Sequence, residues 1–88
     1  MEVIVNRQFQ KDALKFLDKP NQLALAAIIE NLQQVNAISH VKDLKKLKGY
    51  KNAYRIKMGD YRIGFLWLEG SVHLSRILHR KDIYRYFP

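Results

Sequence analysis

The 88-residue chain contains no cysteine, only two prolines and four glycines, and no long hydrophobic run. Without a thiol there can be no disulfide framework, no thiolate metal site and no cysteine nucleophile. The few prolines and glycines form no linker, and no low-complexity tract or internal repeat divides the chain. Residues 1–88 are therefore expected to form a single domain, large enough for a helix layer on a sheet and too small for two cores. The longest apolar stretch, Leu23 to Ile29, is far too short to cross a bilayer, and Met1 to Arg7 lacks the basic start and apolar core of a signal peptide. The expectation is a cytoplasmic protein with no membrane partner, and 48% hydrophobic residues suffice for it to fold unaided.

Acid is also scarce, with eight Asp and Glu against sixteen Lys and Arg. The shortage is local. Residues 1–40 hold four cations (Arg7, Lys11, Lys15, Lys19) and four acids, whereas residues 41–88 hold twelve cations and four acids, Asp43, Asp60, Glu69 and Asp82. The whole excess of eight positive charges lies in the second half, which suits a polyanion-binding surface, or more plainly a solubilising one. The same shortage leaves no acidic cluster for a divalent metal, and no glycine-rich phosphate loop or Ser/His/Asp set is present. Neither metal nor cofactor is expected.

Periodicity divides the chain in the same place. Val3 to Val5 is a short β-prone segment ahead of Asn6, a helix-capping residue type. Phe9, Ala13, Phe16 and Leu17 recur at helical spacing and predict an amphipathic helix of about ten residues, ended by Lys19-Pro20-Asn21. Leu25, Ile28, Ile29, Leu32 and Val35 predict a second, longer helix, making a helical hairpin with one apolar face. A lysine-rich connector, Lys42 to Lys51, follows, with Gly49 as its turn. The period then changes from 3.6 to 2. Ala53 to Met58, Tyr61 to Leu68 and Val72 to His79 predict three strands of an antiparallel meander, joined by turns at Gly59-Asp60 and Glu69-Gly70. The fold class is α+β, with the helical hairpin on one face of a twisted antiparallel β-sheet.

A two-residue loop at Gly59-Asp60 pairs Met58 with Tyr61, Lys57 with Arg62, Ile56 with Ile63, Arg55 with Gly64 and Tyr54 with Phe65. One face then carries Tyr54, Ile56, Met58, Tyr61, Ile63 and Phe65; the other carries Arg55, Lys57 and Arg62 beside the gap left by Gly64. Like charges directly opposite cost roughly 0.2–1 kcal/mol, so Lys57 facing Arg62 suggests a phosphate between them. On the third strand the same alternation puts Val72, Leu74 and Leu78 toward the helices and His73, Ser75, Ile77 and His79 on the cationic face. Arg76 then points inward, which requires either a stem that snorkels to the sheet edge or a bulge that shifts the register and swings Arg80 onto the cationic face. The tail from His79 to Pro88 mixes basic and aromatic residues, a pairing suited to stacking a base while holding its phosphate. Phe87 and one of Tyr84 and Tyr86 are expected instead to cap the core.

Leu47-Lys48-Gly49, Ala53-Tyr54-Arg55-Ile56-Lys57, Gly59-Asp60-Tyr61-Arg62-Ile63 and Ile77-Leu78-His79-Arg80-Lys81-Asp82-Ile83-Tyr84, in that order, resemble the core of the RelE/ParE toxins. The resemblance covers the second half, and the helical hairpin is consistent with a RelE-like fold. It implies a toxin of a type II toxin-antitoxin system whose partners are a cognate antitoxin, the ribosome and mRNA. In the RelE branch it implies a nuclease site in which Arg55 and Lys57 match two basic positions of one strand, Arg62 the arginine of the next, Arg80 the arginine after the last, and Tyr84 a C-terminal tyrosine. Arg55 stands where the best-known pattern has lysine, and Arg80 to Tyr84 is a shorter spacing, so Tyr86 is a substitute for Tyr84.

The chemistry such residues perform is metal-independent RNA cleavage: the ribose 2′-OH attacks the adjacent phosphorus, expels the 5′ oxygen and leaves a 2′,3′-cyclic phosphate. Lys57 is the candidate base, Arg55 and Arg62 clamp the phosphate, and Arg80 or His79 is the acid. Histidine is chemically the easier acid because arginine holds its proton tightly, whereas the resemblance favours Arg80. Lys48, Lys51, Lys81, Arg85 and Tyr86 join Arg55 as candidate RNA contacts. Two alternatives stay open: a ParE-like poison of DNA gyrase that cuts nothing itself, and a decayed toxin that only binds antitoxin.

Overall fold

Two capped helix starts organise the first half. In the computed structural model, which describes all residues Met1–Pro88, β1 (Glu2–Val5) runs into Asn6, whose side chain accepts from the Phe9 N–H at 2.8 Å and starts α1 (Arg7–Phe16). Asp18 does the same for α2 (Lys19–Gln34), accepting from Asn21 N–H at 3.1 Å. Lys19-Pro20-Asn21 was expected to stop the first helix; it opens the second. The reason is that proline's fixed φ and missing N–H suit the first turn of a helix, where that N–H has no intrahelical partner. The amino group of Met1 donates to the carbonyls of Leu32, Gln33 and Val35 at 2.9–3.1 Å, joining the start of β1 to the end of α2.

The sheet order is β1-β5-β4-β3-β2, with β2 at Leu44–Lys46, β3 at Ala53–Met58, β4 at Tyr61–Leu68 and β5 at Ser71–His79. The meander β3-β4-β5 is antiparallel as expected, but the sheet as a whole is mixed, because β1 pairs parallel with β5. The connector expected at Lys42 to Lys51 contains a strand, β2, whose Leu44, Lys45 and Lys46 pair with Ile56, Arg55 and Tyr54. Three residues are too few to show a period of two. Their partner, not their own pattern, makes them a strand.

The β3–β4 register is the one read from the hairpin turn, Met58 with Tyr61 through Tyr54 with Phe65. In β4–β5 the pairing jumps from Gly64 with Arg76 to Phe65 with Leu74, leaving Ser75 as the extra residue of a bulge. The bulge reverses the alternation beyond it. Ile77 pairs with Ile63 and is buried toward the helices, Leu78 pairs with Arg62 and faces the other side, and His79 pairs with Tyr61. The cationic-face placement expected for Ile77 and His79, and the helix-side placement of Leu78, are thereby corrected. His73, before the bulge, pairs with Leu66 on the side away from the helices, as expected.

The main core joins Phe9, Leu17, Leu25 and Leu32 of the helical half to Ile56, Met58, Ile63, Phe65, Val72, Leu74 and Ile77 of the sheet. Each such burial is worth about 1.5–3 kcal/mol. A second cluster of Leu47, Ala53, Leu78, Ile83 and Phe87 covers the middle of the opposite face, because α3 (Ile83–Tyr86) folds back over it. That face is only partly open. A Cβ on Gly64 would lie 2.6 Å from the Phe87 ring, so the gap expected beside the cations is filled by Phe87. Phe87 caps the core as expected; Tyr84 and Tyr86 both stay exposed.

Candidate active site

The face away from the main core carries cations on three adjacent strands. Lys45 of β2 lies opposite Arg55 of β3, and Lys57 of β3 lies opposite Arg62 of β4. Both are pairs of like charge directly across a ladder, each unfavourable by some tenths of a kcal/mol. The molecule's two ion pairs are Arg76 with Asp12 and Arg80 with Asp60. Lys45, Arg55, Lys57 and Arg62 therefore meet no carboxylate, which leaves their charge available to a ligand. No group of three or more His, Asp or Glu side chains is placed to hold a metal ion.

Backbone carbonyls hold this cluster. Asp43 has φ 60°, a left-handed conformation uncommon for a residue with a Cβ. Its carbonyl accepts from the Arg55 guanidinium at 2.9 Å and from the Lys57 N–H at 3.2 Å. Arg55 Nε donates to the Tyr84 hydroxyl at 3.3 Å, so α3 brings a tyrosine to the edge of the cation cluster. Arg62 turns toward the hairpin loop and donates to the carbonyls of Gly59 and Tyr61 at 2.8 and 2.9 Å. Arg80 reaches the same loop: its N–H donates to the Asp60 carbonyl at 2.8 Å, and its guanidinium stands 4.0 Å from the Asp60 carboxylate.

The remaining expected residues separate into two groups. Lys48 borders Tyr84 across an open groove, and Lys51 is exposed in the same β2–β3 loop. His79 lies edge-on to Tyr61 with ring centroids 6.1 Å apart, and Tyr61 donates to the Phe16 carbonyl on the helix side. His79 is thus apart from Arg55, Lys57 and Arg62, and its Nδ1 accepts from the Lys81 N–H at 3.2 Å. Tyr86 is also apart. The Arg76 and Arg85 guanidinium carbons lie 5.9 and 5.7 Å from its ring centroid, which puts it beside the α1 edge of β5 rather than beside Arg55. Tyr84, not its substitute Tyr86, is the tyrosine brought to the cluster.

The pair of buried Asp12 and half-buried Arg76 was not foreseen. Asp12 accepts from Arg76 Nε at 2.7 Å, Arg76 Nη2 at 3.1 Å, the Ile77 N–H at 3.2 Å and the Gln8 amide at 3.1 Å. It satisfies the bare edge of β5 where β1 has ended. The hydrogen bond to Asp12 holds Arg76 above arginine's ordinary range against the opposing effect of desolvation. The available signal was an acid at i+3 from Phe9, inside the apolar stripe of α1.

Solved structures share this architecture. The chain is similar to a chain of a RelB-RelE antitoxin-toxin complex from Methanococcus jannaschii, with TM-score 0.80, 41% identity, and 97% and 99% of the two chains covered. A RelE-RelB complex from Pyrococcus horikoshii OT3 shares the fold at TM-score 0.71 and 23% identity, covering 93% and 97%. The fold is that of the toxin chain in such an antitoxin-toxin complex. In sequence, Toxin RelE3 of Methanocaldococcus jannaschii is 43% identical over the full length of both chains. A model of the ParE toxin of type II toxin-antitoxin systems matches residues 3–84, and the chain belongs to this RelE/ParE family of toxins.

Proposed function

We propose that this toxin is a metal-independent endoribonuclease that cuts mRNA in the ribosome and so stops translation. The observation that carries the reading is the set of four cations, Lys45, Arg55, Lys57 and Arg62, on one face with no acid among them. Lys57 takes the proton of the attacking 2′-OH, Arg55 and Arg62 hold the charge that builds on the phosphorane, and Arg80 donates to the leaving 5′ oxygen. With His79 facing Tyr61, the acid role falls to Arg80. Tyr84, hydrogen-bonded to Arg55, orients that arginine and offers its ring to a base. A cognate antitoxin is the partner, as in the RelB complexes of its relatives, and it holds the toxin inactive.

Incubation with programmed ribosomes, followed by primer extension, tests this directly. Primer-extension stops at new 5′-hydroxyl ends, with a 2′,3′-cyclic phosphate on the matching upstream fragment, formed equally in EDTA where ribosomes remain intact, are the expected result. A second reading, poisoning of DNA gyrase, is favoured by the match to the ParE model. A parallel gyrase cleavage assay separates the two: trapped gyrase complexes with intact messages would overturn the nuclease assignment.

A further inference from the structure

An open groove of about 300 Å³ lies between the β2–β3 loop and α3, and it meets the cation cluster at Tyr84. Its floor is apolar, formed by Leu47 and Phe87 of the second cluster. Lys45, Lys46, Lys48, Tyr50 and Tyr84 line it above that floor. Tyr50 belongs to neither hydrophobic cluster, is 52% exposed, and makes no side-chain hydrogen bond. Its backbone is nevertheless fixed. The Tyr50 N–H donates to the Leu47 carbonyl around a turn that requires Gly49 at φ 85°, and the Leu47 N–H donates to Ala53. A ring held in water on a pinned loop contributes little to folding. Neither Lys45 nor Lys48 pairs with an acid.

An apolar floor, an unpacked aromatic ring and three unpaired ammonium groups suit a flat base carrying a phosphate, that is, one nucleotide of a single strand. We propose that this groove is a second nucleotide subsite: the base adjacent to the scissile phosphate stacks on Tyr50, and Lys45 and Lys48 hold its phosphate. The subsite rests on the nuclease reading above, since Tyr84 is what joins the groove to Arg55. Lys45 would serve both regions, because it shares the Arg55 row and also borders the groove.

The test uses a single-stranded RNA hexamer containing 2-aminopurine, with a 2′-deoxy sugar on its 5′ side to block cleavage, alongside the programmed-ribosome assay. The whole toxin should quench the fluorophore on binding. Tyr50→Ala should abolish the quench, weaken binding about tenfold as for loss of one stacked base, and raise KM with kcat little changed. Lys45→Ala with Lys48→Ala should weaken binding and flatten its salt dependence while keeping the quench at saturation. An unchanged melting midpoint shows that Tyr50→Ala folds. Messages cut normally by Tyr50→Ala, with the quench intact, would overturn the subsite alone. A Tyr50-dependent quench in a toxin that cuts no message supports the groove and overturns the nuclease reading. A Tyr50→Ala toxin that binds RNA normally but loses its antitoxin overturns the subsite in favour of a protein-docking role.

Discussion

Lys57 and Arg62 carry the sharpest prediction at the scale of single residues. Both project from the second pair after the Gly59-Asp60 turn, on the face away from the main core, and neither meets an acid. Changing either to alanine should lower mRNA cleavage by about 10²–10⁴-fold, the range for loss of a general base or of an oriented charge. Stability should move by no more than about 0.5 kcal/mol for the exposed Lys57, and by about 1 kcal/mol for Arg62, which gives up its hydrogen bonds to the Gly59 and Tyr61 carbonyls. Growth arrest by both variants at the rate of the unaltered toxin would remove them from the site. Asp12 is the converse case. Asp12→Ala leaves the Ile77 N–H and the Arg76 guanidinium without their partner, and should cost about 3 kcal/mol, measured by denaturant unfolding. A loss under about 1 kcal/mol would show that water replaces the carboxylate. Because the Arg76 value is raised, its contribution is complete below arginine's ordinary range and is lost only above it, so Arg76 gives no pH dependence near neutrality.

At the scale of elements, α3 connects stability to the site. Ile83 and Phe87 anchor it in the second cluster, and Tyr84, between them in sequence, reaches Arg55. Gly64 makes this possible, because the Phe87 ring occupies the space of its missing side chain. Gly64→Ala should therefore displace Phe87, cost about 1–3 kcal/mol as overpacking does, and lower cleavage by moving Tyr84. Phe87→Leu in the Gly64→Ala background frees ring volume and should restore part of both. Protection of the α3 amides from hydrogen exchange is the direct readout: unchanged protection in Gly64→Ala would mean that α3 is held by Ile83 alone.

For the whole molecule, the +8 charge sits in the half of the chain that builds β2 to α3. RNA binding through the phosphate-holding cations Lys45, Lys48, Arg55 and Arg62 should weaken with salt, with a log-log slope of about −3 for a single strand, and each of them removed should reduce that slope by about 0.7. A slope near zero would indicate that the cations do not touch phosphate. The same excess suits an acidic antitoxin segment that is disordered when free and folds on the toxin. Co-expression with the neighbouring reading frame should yield a stable complex whose message cleavage is suppressed. A chain harmless by itself that recovers no such partner would count against the proposal.

Local chemistry made much of this legible in the sequence. A two-residue Gly59-Asp60 loop admits one antiparallel register, and that register alone placed Arg55, Lys57 and Arg62 together on one face. Asn6 announced α1, and the change of period from 3.6 to 2 announced the α+β fold. Tertiary structure decided what depends on partners distant in the chain. The inward Arg76 left a snorkelling stem and a bulge equally open; the neighbouring strand put the extra residue at Ser75 and so inverted Ile77, Leu78 and His79. β2 exists because β3 offers it an edge, and β1 became parallel because β5 was the free edge within its reach. Tyr84 was separated from Tyr86 by the docking of Ile83 in the second cluster and of Phe87 over Gly64, contacts between residues distant in the chain that no local period records.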